Sequence, residues 1–295
     1  MMETAYGATT EEIDLSRHPC LGAAAHHKFG RIHLPVSPAC NIGCRFCRRA
    51  FNATEQRPGV AAGILTPEEA LAKVGEALLL CPEITVVGIA GPGDTLATEH
   101  ALQTFSLVHE KYPHLIKCLS TNGLLLPRYI DRLAQAGVRT VTVTVNAVLP
   151  EIEARINAFA LLDGICYTGT EAAEILIEAQ LEGIARAAGL GVTVKVNTVL
   201  IPGVNSAHIG EIARTVKEAG AKMYNIIPLI PEHAFKEIPE PTCRELYEAR
   251  AAAEKHIDVF RHCKHCRADA CGIPGREDFA SRLYQNRQAE TFSHG

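Results

Sequence analysis

The sequence predicts an α/β fold, a partial (βα)6 TIM-like barrel with an extension at each end. Short apolar runs rich in β-branched residues alternate with longer helical patterns, as parallel strands joined by crossover helices do. Polar or glycine-rich residues repeatedly follow these runs, at the strand ends where α/β barrels carry their active sites. Six such strands can be counted, near residues 32, 84, 116, 141, 192 and 223. A closed eight-stranded barrel usually occupies about 250 residues, so six strands and two tails suit the 295 residues better. The expected organisation is a mobile arm over 1–17, the barrel with its N-terminal segment over 18–230, and a C-terminal extension over 231–295.

His18-Pro-Cys20 and His26-His27 come first, then a short β-compatible run, Arg31–Val36, that leads into Cys40. Taken singly, each histidine suits a surface or core position better than a ligand position. Glu55–Val60 is too polar and too marked by Gly and Pro for a strand. Thr66 is a helix N-cap, with Pro67 in the first turn and Glu69 completing a capping box; Ala70, Val74 and Leu78 follow at helical spacing.

Ile84–Ile89 reads as a buried strand ending in Ala90-Gly91-Pro-Gly93-Asp94-Thr95. Those glycines permit close backbone approach to a ligand, and a plain turn explains them equally well. A helix over His100–Lys111 leads to the strand Ile116–Ser120, which carries Cys118 and ends in Thr121-Asn122-Gly123. Tyr129–Ala136 is helical, and the strand Val141–Val145 ends at Asn146. Residues 147–170 break the rhythm and read as an insertion over one end. The alternation then resumes with a helix over Glu171–Ala188, a strand over Val192–Leu200 carrying Lys195 and Asn197, a helix over Ala207–Ala219 and a strand over Met223–Leu229. Beyond Glu232 the pattern changes to a helix near Arg244–Lys255 and a Cys/His-rich stretch.

Net charge is -4 with mixed signs, Trp is absent and aromatics are 5%, which argues against nucleic acid. No apolar run is long enough to span a membrane and no signal pattern opens the chain. The 11 cysteines form an odd count with tight local spacing, unlike a secreted disulfide framework, so the expected location is the cytoplasm. Cys81, Cys166 and Cys243 have no motif context and read as core thiols.

The chemistry centres on Cys40-Asn-Ile-Gly-Cys44-Arg-Phe-Cys47. Three cysteines so spaced can hold three corners of one cubane iron–sulfur cluster and leave the fourth iron open for chemistry. A zinc site or buried thiols are the competing readings, although the spacing differs from the paired C-x2-C of zinc ribbons. Cys263-Lys-His-Cys266 can bind zinc or form a redox pair, and as a metal site it needs partners from elsewhere.

The cysteine run after a first strand, followed by a partial parallel barrel, resembles the radical S-adenosylmethionine (SAM) superfamily. A finer resemblance is to the NifB family, which builds the iron–sulfur core of the nitrogenase cofactor. It is carried by His18-Pro-Cys20, Ala25-His-His27, Pro38-Ala-Cys-Asn-Ile42, Glu55-Gln-Arg-Pro-Gly-Val60, Ala90-Gly-Pro-Gly-Asp94, Cys118-Leu-Ser-Thr-Asn-Gly123 and Cys263-Lys-His-Cys-Arg-Ala-Asp269. The resemblance implies a 4Fe–4S cluster on Cys40, Cys44 and Cys47 that binds and cleaves SAM, and a lyase-type carbide insertion joining two accessory 4Fe–4S clusters. By position, Cys20, Cys263 and Cys266 match the ligands of one accessory cluster, and His33 and Cys118 match two of the three ligands of the other. The third family ligand is a cysteine; the neighbourhood here reads Arg48-Arg-Ala-Phe-Asn52-Ala-Thr54 and has none. Cys271 is an extra cysteine beside the C-terminal pair, read as a buried thiol.

Glu55 and Arg57 match a family loop beside the clusters, as a proton acceptor and a cation. Gly91, Gly93 and Asp94 match the loop at the amino-acid end of SAM, and Ser120, Asn122, Asn146 and Asn197 are strand-end groups suited to its polar atoms. The implied partners are an iron–sulfur cluster donor, a separate cofactor carrier or scaffold, and a reductant such as ferredoxin or flavodoxin. The alternatives are a radical SAM reaction on another substrate with a reduced accessory site, and a non-catalytic iron–sulfur carrier.

Overall fold

The computed structural model describes residues 15–22 and 24–284. The arm expected over 1–17 lies outside the described residues except for Leu15–Arg17, a 3-10 turn. Four short strands come first: β1 (Gly30–His33), β2 (Ile42–Cys44), β3 (Ala50–Phe51) and β4 (Val60–Ala61). They are followed by α1 (Pro67–Leu80), β5 (Ile84–Ile89), α2 (His100–Lys111), β6 (Ile116–Thr121), α3 (Leu126–Gln135) and β7 (Val138–Thr144). The insertion expected over 147–170 consists of α4 (Pro150–Ile156) and a hairpin of β8 (Asn157–Leu162) and β9 (Ile165–Thr168). The chain continues through α5 (Gly169–Gly189), β10 (Thr193–Leu200), α6 (Ile209–Glu218), β11 (Met223–Pro228), α7 (Cys243–Ala253), β12 (Cys271–Gly272) and α8 (Ala280–Leu283).

The main sheet runs β11-β10-β7-β6-β5-β1-β12, an open, curled half-barrel. Its six expected strands are all present, parallel and in sequence order. A seventh, β12, lies antiparallel on β1, with Ile32 opposite Cys271 and Arg31 opposite Gly272. Two residues are too few for a period-2 signal, yet they cover the outer edge of β1. Cys271 is buried there in the core, as expected.

Strand alternation separates core from cavity. On β10, Val194, Val196 and Leu200 join the main core, while Lys195, Asn197 and Val199 face a cavity. On β7, Val141 and Val143 take the core side and Thr142 and Thr144 the cavity side. Helix packs on helix outside the sheet: α1 on α2, α3 on α5, α6 on α7. The capping box of α1 forms as expected: Thr66 Oγ1 accepts from the Glu69 N–H at 3.2 Å and the Glu69 carboxylate accepts from the Thr66 N–H at 2.8 Å. No helix among the described residues is long and apolar enough to cross a membrane.

Two local expectations are corrected. Val60–Ala61 pairs in parallel with Ala50–Phe51, so the polar loop between them is closed by a short ladder. That pairing is non-local and leaves no period in the sequence. Cys81 is a core thiol, whereas Cys166 on β9 and Cys243 at the head of α7 are exposed.

The insertion buries Glu153 of α4 completely. Burial pushes its carboxyl up to about 7, against smaller lowering effects of the Asn157 amide and the Ala147 N–H. A carboxyl raised in the fold contributes stability below its unfolded pKa and loses it as pH rises through the folded value, here about 7. Glu153→Gln is therefore expected to raise the stability of the cluster-free chain by about 3 kcal/mol near pH 8, and to change little near pH 4.5. Urea midpoints at the two pH values check this; an equal shift at both would contradict it.

Candidate active site

A cavity of about 360 Å3 lies at the C-terminal ends of the parallel strands, within the size range of ligand sites. Every site residue expected from the sequence lines it except Glu55 and Gly91. Its wall is assembled from the N-terminal segment, the Cys40–Cys47 loop, the six parallel strands of the sheet and the C-terminal extension.

The cysteine loop is fixed from three sides. β2 pairs antiparallel with β8 of the insertion, with Ile42 opposite Ala160 and Cys44 opposite Asn157. From β6, Asn122 Nδ2 donates to Asn41 Oδ1 at 2.7 Å. From the loop after β5, the N–H groups of Gly93 and Asp94 donate to the carbonyls of Ser37 and Ala39, each at 2.8 Å. A Cβ on Gly93 would stand 2.0 Å from the Ala39 oxygen, so only glycine fits. The close backbone approach expected of this glycine is thus made to the chain's own cysteine loop.

Asp94 and Asn122 line the cavity, but their hydrogen bonds go largely to protein. Asp94 accepts from the N–H groups of Asn122 (2.6 Å) and Leu96 (2.9 Å) and from Thr121 Oγ1. Asn122 Oδ1 accepts from the Leu124 N–H at 2.9 Å. Asn146 Oδ1 accepts from the Val199 N–H, and Asn197 Oδ1 from Asn225 Nδ2. Gln180 of α5, which carries no sequence signal, ties the ends of β6 and β7 by donating to the carbonyls of Asn122 and Thr144.

Cys40, Cys44 and Cys47 are free thiols. Burial pushes Cys40 up to about 11 and raises Cys44 and Cys47 as well, so metal binding must displace their protons. Three soft thiols on one loop, facing a cavity, fit three corners of a 4Fe–4S cluster. Among the described residues no three His, Cys, Asp or Glu side chains converge on one metal-ion position. Ligands of a cubane bind separate irons and need not converge.

Deeper in the cavity, register places a second group. His33, Gly88 and Cys118 lie side by side on β1, β5 and β6. With neighbouring strands about 4.8 Å apart, the backbones of His33 and Cys118 stand about 10 Å apart across a residue with no side chain. A Cβ at Gly88 would meet His33 Cδ2 at 2.9 Å. His33 Nδ1 lies 3.0 Å from the Arg267 carbonyl. A carbonyl only accepts, so Nδ1 carries the proton and the lone pair is on Nε2, the arrangement of a ligating histidine.

A third group comes from the two ends of the chain. The Cys20 N–H donates to His18 Nδ1 at 3.1 Å, and burial pushes the Cys20 thiol up to about 12. Cys266 Sγ accepts from Arg31 Nη2 at 3.1 Å. Lys195, also buried and cavity-lining, stands with Nζ 3.5 Å from the Cys20 carbonyl and over the Phe260 ring.

Asn52, in the segment where the family carries its third ligand cysteine, turns into its own loop. Its Oδ1 accepts from the N–H groups of Thr54 (3.1 Å) and Glu55 (2.8 Å), and its Nδ2 donates to Glu55 Oε1 at 2.9 Å. Asn52 is absent from the cavity wall. Glu55 is turned away as well: it pairs with Arg57 at 2.6 Å, and that guanidinium holds its carboxyl below the usual range. Arg57 itself reaches the cavity.

A half-barrel of parallel strands with a three-cysteine loop over its open end defines the radical SAM class, and the family model of the radical SAM superfamily matches residues 34–216. The class implies a 4Fe–4S cluster and SAM. The chain is 46% identical over 278 residues to the FeMo cofactor biosynthesis protein NifB of Methanocaldococcus infernus, covering 94% of this chain and 92% of that one. It is also 46% identical to the protein of that name from Klebsiella pneumoniae, covering 88% of this chain and 57% of that longer one. Among solved structures, a radical SAM methyltransferase from Sphaerobacter thermophilus aligns with a TM-score of 0.58 at 20% identity, over 78% of this chain and 65% of that one. SuiB of Streptococcus suis aligns with a TM-score of 0.55 at 13% identity, over 83% of this chain and 52% of that one. The chain belongs to the NifB family of the radical SAM superfamily.

Proposed function

We propose that this chain converts two 4Fe–4S clusters into the carbide-containing eight-iron precursor of the nitrogenase cofactor. SAM serves twice, as methyl donor to a cluster sulfide and as the source of a radical that abstracts hydrogen from that methyl. The observation that carries this reading is one cavity lined by three separate groups of soft ligands. The name and extent of the relatives support it.

In this reading Cys40, Cys44 and Cys47 hold the cluster that supplies one-electron chemistry on SAM. Gly91, Gly93, Asp94 and Asn122 shape the SAM site by holding its loops, and Ser120, Asn146 and Asn197 offer polar groups to it. Cys20, Cys263 and Cys266 bind one substrate cluster; His33 and Cys118 bind the other, with one protein ligand fewer. Arg57 supplies positive charge toward the anionic clusters, and Glu55 orients it through their ion pair. The extension from residue 231 serves to bring Cys263 and Cys266 to the cavity. Cluster donor, carrier and a ferredoxin- or flavodoxin-like reductant are separate proteins.

Anaerobic reconstitution should load about 12 irons per chain, and SAM with dithionite should yield both 5′-deoxyadenosine and S-adenosylhomocysteine. About 4 irons under full reconstitution would sink the reading. The inward turn of Asn52 favours a second reading, a radical SAM reaction on another substrate with a single accessory cluster. About 8 irons without S-adenosylhomocysteine would select it.

A further inference from the structure

His26 has one nitrogen accounted for. Its Nδ1 lies 2.9 Å from the Pro19 carbonyl, which only accepts, so the proton sits on Nδ1 and Nε2 carries a lone pair. The residue is 2% exposed, and Nε2 has no hydrogen-bond partner among the described residues. A buried nitrogen left in that state costs about 1–3 kcal/mol. An ordinary core histidine would have both nitrogens satisfied.

The position of the ring shows what the lone pair serves. His26 lines the same cavity as Cys20, Cys263 and Cys266. Its Nδ1 is tied to Pro19, the neighbour of Cys20. Its ring stands 5.7 Å from that of His262, the neighbour of Cys263. His26 is therefore bracketed by the two segments that bring those thiols together. It also repeats the device seen at His33, a ring N–H held on a backbone carbonyl with the other nitrogen free, which is how metal-bound histidines are usually held.

We propose that His26 Nε2 is the fourth protein ligand of the substrate cluster bound by Cys20, Cys263 and Cys266. The inference rests on the reading that those three thiols bind a cluster. A neutral imidazole leaves more readily than a thiolate and adds no negative charge. It closes the last iron of a cluster that is substrate, and it marks the corner that opens when that cluster is joined to its neighbour or leaves.

The test uses the full chain carrying His33→Ala, reconstituted with ferrous iron and sulfide, without SAM, and reduced with dithionite. Pulsed EPR should show a histidine nitrogen coupled to a cluster. Adding His26→Ala should remove that coupling. Adding His26→Cys should also remove it while keeping the iron content of the parent, because thiolate replaces imidazole; this arm separates ligand loss from a folding defect. Coupling that survives both substitutions, or is absent while His26 is in place, overturns the ligand assignment and leaves the cluster site standing. Substituting Cys20, Cys263 and Cys266 together by Ala should lower bound iron by about 4. An unchanged count there removes the cluster site, and the proposal with it.

Discussion

Cys44→Ala is expected to lower 5′-deoxyadenosine production from SAM and dithionite by more than about 100-fold, beyond the 10–100-fold typical of losing an outer-shell partner of a metal ligand. Cys44 is the middle cysteine of the loop. Its backbone is held independently of its thiol: it lies opposite Asn157 in the β2–β8 pairing, and its carbonyl accepts from the Cys47 N–H at 3.1 Å. Alanine preserves that backbone and removes only the sulfur. Bound iron should fall by about 4 while the thermal midpoint of the cluster-free chain stays close to that of the parent. Retained cleavage would refute the assignment of this loop to the SAM cluster.

Arg267→Ala is expected to destabilise the chain by about 3–5 kcal/mol. Arg267 forms a buried ion pair with Asp269, their side chains 5% and 1% exposed, with Nε and Nη2 donating to the two carboxylate oxygens at 2.8 and 2.9 Å. The same guanidinium donates to the carbonyls of Glu55 (2.6 Å) and Asn52 (2.7 Å). Removing it leaves the Asp269 charge buried with the Ala62 N–H as its remaining bond, and frees two carbonyls of the 52–57 loop. The urea midpoint should fall with little change in slope. A loss below about 1 kcal/mol would show that the pair is replaceable by solvent. The substitution should also disorder the loop that presents Arg57, so reconstituted activity should fall further than stability alone explains.

The parallel strands and the cap of α1 were legible because their signals are local. The apolar run Ile84–Ile89 and the Thr66–Glu69 box each depend on a few adjacent side chains. The cysteine loop was legible for the same reason: its three cysteines fall within eight residues, so spacing alone describes them. The roles of glycines and polar strand ends were harder to read. Gly93 requires its lack of a side chain against Ala39, a partner more than fifty positions away. Asp94 and Asn122 look like ligand contacts from their place at strand ends, and the fold uses much of their hydrogen-bonding capacity to hold the cysteine loop.

By itself the sequence determined the class of fold, the three-cysteine loop, the family to which it belongs and the absence of a cysteine near Asn52. Each of these is a matter of residue identity and short-range order. Tertiary structure alone decided that β12 covers the edge of β1, that His33 and Cys118 face each other across Gly88, and that Asn52 and Glu55 turn away from the cavity. It also left His26 with a buried lone pair between Pro19 and His262, in the segments that carry Cys20 and Cys263. The physical reason is common to all of them: strand register and the direction of a side chain depend on pairing between distant segments, and a linear pattern carries no record of which residue will stand opposite which.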